Sequence, residues 1–103
     1  MLFDEEHYGK LISSQLSDYL KEWTTMHDRI DIAEEHNISK SLLEAVMRRE
    51  RSLTKSNSIG IIDLARKAVH NCTHKIERAK KVKKQLDYLL NDDKRGNNCI
   101  SNG

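Results

Sequence analysis

Hydrophobic residues recur near the start of the chain at three- and four-residue steps: Tyr8, Leu11, Ile12, Leu16, Tyr19, Leu20, Trp23 and Met26. That spacing lays them on one broad helical face, which has to be buried against something. Asp4 suits an N-cap, Phe3 and Tyr8 suit a hydrophobic staple, and Glu5 and Glu6 suit the positive end of a helix dipole. A first helix is therefore predicted over about residues 4–25.

After His27 the pattern restarts as DRIDIAEEH, about two turns with Ile30, Ala33 and Ile32 inward and Asp31, Glu34 and Glu35 in water. Asn37 follows. Asparagine enters the left-handed backbone region more readily than most residues, so it suits a sharp corner. Ile38 can then plug the space between two helices. Ser39 is a good N-cap for a next helix with Leu43, Val46 and Met47 inward, and Ser41 with Glu44 offers a competing capping box.

The residues Ile32, Ala33, Asn37, Ile38, Ser39, Leu43 and Val46 resemble the structural positions of the helix-turn-helix in lambda-repressor-like and Cro-like (XRE-type) regulators. The match covers about 20 residues, within a helix-turn-helix of about 29–50. A glycine is usual at that family's corner, and Asn37 departs from it within the same backbone geometry. The following RRERSLTKSNSIGIIDLARKA resembles the loop and supporting helix of such proteins.

What the resemblance implies is DNA binding, with the N-terminal part and outer face of the second helix in the major groove. Those positions are Ser39, Lys40, Ser41, Glu44, Ala45 and Arg48. Lys40 suits a phosphate, Ser41 suits a base or the backbone, and Glu44 suits the amino group of cytosine. Arg48, Arg49, Arg51 and Lys55 would hold flanking phosphates. In the competing structural reading, Glu44 only caps and Arg48 and Arg49 only complement a helix C-terminus.

The resemblance stops near Ala68, but the apolar repeat does not. Ile62, Ala65, Val69, Cys72, Ile76, Ala79, Leu86 and Leu90 continue at three- and four-residue steps, with Lys83 in the place between Ala79 and Leu86. A long C-terminal helix is predicted over about 58–90, either continuous or broken near HNCTH, and residues 91–103 are predicted to be a flexible tail. Such a long stripe suits a homodimer held through this helix. The rival is a monomer whose first helix folds back along the stripe.

Composition agrees with this pattern: no proline, 5% aromatic and 33% charged residues in 103 favour one small all-α domain, residues 1–90. The acidic start and the short apolar runs point to a cytoplasmic protein with no membrane partner. Charge is unevenly spread. Residues 1–36 hold 3 Lys/Arg against 9 Asp/Glu, a net of −6, whereas residues 37–84 hold 13 against 4, a net of +9. A basic segment of this size suits a polyanion such as double-stranded DNA.

Cys72 and Cys99 match no disulfide or zinc spacing, and His70 with His74 lacks a third ligand, so neither metal nor cofactor is expected. No nucleophile, general base or phosphate-binding glycine loop has convincing spacing, so no enzyme is expected. Two function classes remain: a small sequence-specific transcriptional regulator of a bacterium, phage or mobile element, and a non-enzymatic helical interaction module.

Overall fold

The structure is a computed structural model that describes residues 2–94, with side chains through residue 92. Helices dominate it: α1 (Ser14–Trp23), α2 (Met26–Glu35), α3 (Lys40–Met47) and α4 (Lys55–Lys94), preceded by a single 3-10 turn at Glu5–His7. The described residues contain no strand, so the all-α class and the long C-terminal helix read from the sequence are correct.

The predicted first helix over 4–25 is shorter than its pattern suggested. Asp4 caps as expected, but only the 3-10 turn follows it, and Gly9 then takes a φ of 86°. The chain turns extended. Gly9 N–H donates to the Leu53 carbonyl at 2.7 Å and Leu53 N–H donates to that of Lys10 at 2.8 Å. These bonds to the loop before α4 satisfy backbone groups that a helix would have used internally. Helix begins again where Ser13 Oγ accepts from Leu16 N–H at 3.1 Å. Phe3 is buried with its ring edge-on to His7 at 5.6 Å, and Tyr8 is partly buried against the same core.

The apolar face predicted for the first helix is also narrower, because Tyr19 of α1 and Met26, which opens α2, are both more than half exposed. Ser17 lies inside in their place. Its hydroxyl donates to the Met47 carbonyl at 2.6 Å, which removes the cost of burying it and ties α1 to the end of α3.

α2 starts two residues before the predicted Asp28. Thr25 and Asp28 form a reciprocal capping box, with bonds of 3.1 and 3.0 Å. α4 starts three residues before the predicted Ser58 for the same kind of reason. Asn57 N–H donates to Thr54 Oγ1 at 3.2 Å, and Thr54 N–H donates to Asn57 Oδ1 at 2.8 Å. α4 then runs unbroken through HNCTH. Residues 91–94, predicted as tail, are its last turn, while 95–103, including Cys99, lie outside the described residues.

The chain divides into two compact units, Met1–Cys72 and Thr73–Gly103. The first holds one core, in which Leu43, Val46, Ile61 and Leu64 are wholly buried beside Leu20, Ala33, Met47 and Leu53. Each such aliphatic side chain contributes roughly 1.5–3 kcal/mol when fully buried. Gly60 explains how α4 joins this core: a Cβ there would stand 2.8 Å from Leu43 Cδ1 and 3.0 Å from Ile38 Cδ1. Only a residue without a side chain lets α4 approach so closely. In the second unit, every described side chain from Thr73 to Asp92 is exposed.

Candidate nucleic-acid interface

The corner between α2 and α3 is a Schellman turn. Asn37 has a φ of 58°, its N–H donates to the Glu34 carbonyl at 3.2 Å, and Ile38 N–H donates to that of Ala33 at 2.9 Å. These two bonds satisfy the carbonyls left over at the end of α2. The turn also delivers Ile38 half-buried onto the core and Ser39 as N-cap, its Oγ accepting from Leu42 N–H at 3.1 Å. Ala33, 2% exposed, keeps the crossing close. The corner expected at Asn37 is therefore present in detail, with Leu43, Val46 and Met47 buried as predicted.

α3 ends in a second Schellman turn that the sequence reading missed. Arg49 takes a φ of 66°, its N–H donates to Val46 O at 3.1 Å, and Glu50 N–H donates to Ala45 O at 2.8 Å. An arginine in this conformation is strained. Its Nε donates to the Ile12 carbonyl at 2.7 Å, which offsets the strain and clamps the N-terminal segment to the end of α3. Arg49, predicted to hold a flanking phosphate, is thus engaged in the fold through Nε while the residue stays exposed.

Glu44 is likewise engaged, and not as the capping partner of Ser41. Its Oε2 accepts from Arg29 Nε at 3.2 Å, while Lys40 Nζ and Arg48 Nη1 lie 3.7 and 3.9 Å from its Oε1. The Arg29 and Glu44 side chains are each 12% exposed. Arg29 also donates from Nη1 to the carbonyl and hydroxyl of Thr24, both at 3.1 Å, so both polar ends of the pair are satisfied. A carboxylate so enclosed holds α2 to α3 and is a poor acceptor for a base.

The remaining predicted residues are accessible. The Lys40 and Arg48 side chains are 41% and 48% exposed, and their long contacts to Glu44 are weak enough to exchange for a phosphate. Ser39, Ser41, Arg51 and Lys55 are exposed, and Ala45 is half-buried. Lys55 opens α4, where helix N-terminal N–H groups favour an anion beside it.

Two ties set the frame around the corner. Asn71 of α4 donates from Nδ2 to the Trp23 carbonyl at 2.8 Å and to Asp28 Oδ2 at 3.1 Å. Burial opposes ionisation of Asp28, yet its bonds from Thr25 and Asn71 and the Lys67 charge outweigh burial and hold the carboxyl below its ordinary range. At the other end of α2, His36 Nε2 lies 2.5 Å from Asp63 Oδ2 of α4, and Arg66 Nη1 donates to Asp63 Oδ1 at 2.8 Å. Burial again opposes ionisation, and the His36 and Arg66 contacts again prevail, so the Asp63 carboxyl is also lowered.

With Glu35, these two residues bring three potential ligand atoms within 4.8 Å of one another. The Arg66 guanidinium on Asp63 makes the trio a poor cation seat, because a metal ion would meet a fixed positive charge. Among the described residues, no helix is long and apolar enough to cross a membrane.

Neither Arg29 nor Asn71 carried a signal in the hydrophobic pattern. A polar residue at a buried crossing becomes legible only when its partner is in place. Compared with protein-family models, curated proteins and solved structures, the chain matches none of them.

Proposed function

We propose that the protein is a small sequence-specific DNA-binding regulator that presents α3 to the major groove. The observation that carries this reading is the α2–α3 corner. Asn37 turns the chain, Ala33 and Ile38 close the crossing, and Lys40, Ser41 and Arg48 stand accessible on α3. Lys40, Arg48, Arg51 and Lys55 supply phosphate contacts, while Ser39, Ser41 and Ala45 are left for base edges.

One corner offers few base contacts. A homodimer through the C-terminal helix would present two recognition helices to two half-sites spaced by whole turns of B-DNA. The test is titration of mixed-sequence and then selected duplex DNA across a range of salt. Binding that weakens steeply with salt and tightens on a selected palindrome supports the reading, and no binding at low salt ends it.

The second reading, a helical interaction module in which the corner is only architecture, is favoured by the uncovered apolar stripe of α4, where Ile76 and Leu86 are 55% and 53% exposed. Dimerisation without any DNA affinity would select it.

A further inference from the structure

The apolar stripe of α4 raises the question of what covers it. In the unit beginning at Thr73, Ile76, Val82, Leu86, Leu89 and Leu90 are between 44% and 63% exposed, with Ala79 on the same side. Side chains of this size along one helix face leave an unusually large apolar strip in water. We propose that the strip is covered by the same segment of a second copy, and that the two helices run antiparallel. The proposal shares the dimer of the proposed function and adds its orientation.

Charge decides the direction. Residues 75–84 carry six Lys/Arg (Lys75, Arg78, Lys80, Lys81, Lys83, Lys84) against Glu77, while residues 85–94 carry three aspartates against Lys94 alone. A parallel, in-register pair lays the basic stretch of one copy along the basic stretch of the other. An antiparallel pair lays it along the acidic stretch, and like charges held side by side are disfavoured relative to opposite ones.

Lys83 gives the same answer. It occupies the position between Ala79 and Leu86 in the three-four repeat, facing the partner. In a parallel pair it meets Lys83 of the second copy at the centre of the seam. In an antiparallel pair in the basic-on-acidic register it meets Leu86 instead, where its stem can lie on apolar surface with the ammonium at the edge. That ammonium already leans along the helix, with Lys83 Nζ 3.1 Å from Asp87 Oδ2.

Spin labels read the orientation directly. In a chain with Cys72→Ser and Cys99→Ser, single cysteines are introduced as Glu77→Cys, Lys84→Cys or Asn91→Cys, all exposed and seven residues apart. Like-label distances are then measured without DNA, with helical signal checked for each variant. In an antiparallel pair, the axial separation of like labels grows by about 3 Å for each residue from the crossing point, because each helix rises about 1.5 Å per residue. The three distances should then spread by roughly 15–20 Å, with Lys84→Cys the shortest, and Ile76→Asp with Leu86→Asp should abolish them. Three equal distances would establish a parallel pair, and no like-label distance at all would establish a monomer; either result overturns the proposal. A parallel result would leave the DNA-binding reading standing, and absence of DNA affinity would leave an antiparallel dimer standing.

Discussion

Arg29 of α2 and Glu44 of α3 form an ion pair at 3.2 Å with both side chains 12% exposed, where α2 crosses the helix proposed to meet DNA. Two charges removed from water this far stabilise the fold only while each has the other. Glu44→Ala leaves the Arg29 guanidinium half-satisfied and should cost about 2–4 kcal/mol, measured by urea unfolding. Arg29→Met with Glu44→Leu should cost less than Glu44→Ala alone. A loss in the double variant equal to the sum of the losses in Arg29→Met alone and Glu44→Leu alone would show that the pair is not coupled.

Gly60→Ala should destabilise the protein although alanine is the better helix former. Helix propensity favours alanine by roughly 1 kcal/mol. Its methyl group, however, would press on Leu43 and Ile38 at 2.8 and 3.0 Å, and overpacking costs about 1–3 kcal/mol. A net loss of about 1 kcal/mol is expected, rising in Gly60→Val. A higher unfolding midpoint in Gly60→Ala would mean that α4 crosses α3 more loosely.

Arg49→Ala should lose about 1.5–3 kcal/mol, because the charged bond to the Ile12 carbonyl disappears while the left-handed backbone remains. Arg49→Gly should recover about 1 kcal/mol of that, since glycine carries no penalty at a φ of 66°. Equal stability of the two variants would remove backbone strain from the explanation.

Lys40→Ala and Arg48→Ala should each lower the magnitude of the salt slope of DNA binding by about one unit and weaken binding to all sequences alike. Thermal melting should barely change, because both side chains are well exposed. Ser41→Ala should instead alter the preference among sequences. Unchanged affinity and slope in both cation variants would take α3 out of the interface.

Stability should fall on acidification. Asp28 and Asp63 both have folded-state pKa values below the ordinary 3.8, so the unfolded chain binds protons first as the pH drops. Their contribution is complete well above 3.8 and is lost as the pH falls through the lower folded values. Asp63→Asn should therefore flatten the dependence of urea stability on pH below about 4, the region where free aspartate titrates. An unchanged acid limb would mean that Asp63 is no better stabilised in the folded protein than in the unfolded chain.

The sequence by itself determined the helical class, the corner at Asn37 and the inward set Leu43, Val46 and Met47. These follow from local physics: three- and four-residue periodicity, an asparagine that tolerates positive φ, and a serine that caps. The same local rules overextended the first helix through Gly9. There the choice between helix and extended chain was made by Leu53, a distant residue whose backbone pairs with Gly9 and Lys10. Tertiary structure alone showed which of the candidate residues the fold also uses. Glu44 looks like a surface charge on a helix, but Arg29 encloses it, and the Nε of the exposed Arg49 is taken by the Ile12 carbonyl, whereas Lys40 and Arg48 make only long contacts to Glu44. A charged side chain's availability depends on which opposite charge or carbonyl the fold brings within about 3 Å, and periodicity along the chain carries no information about that distance.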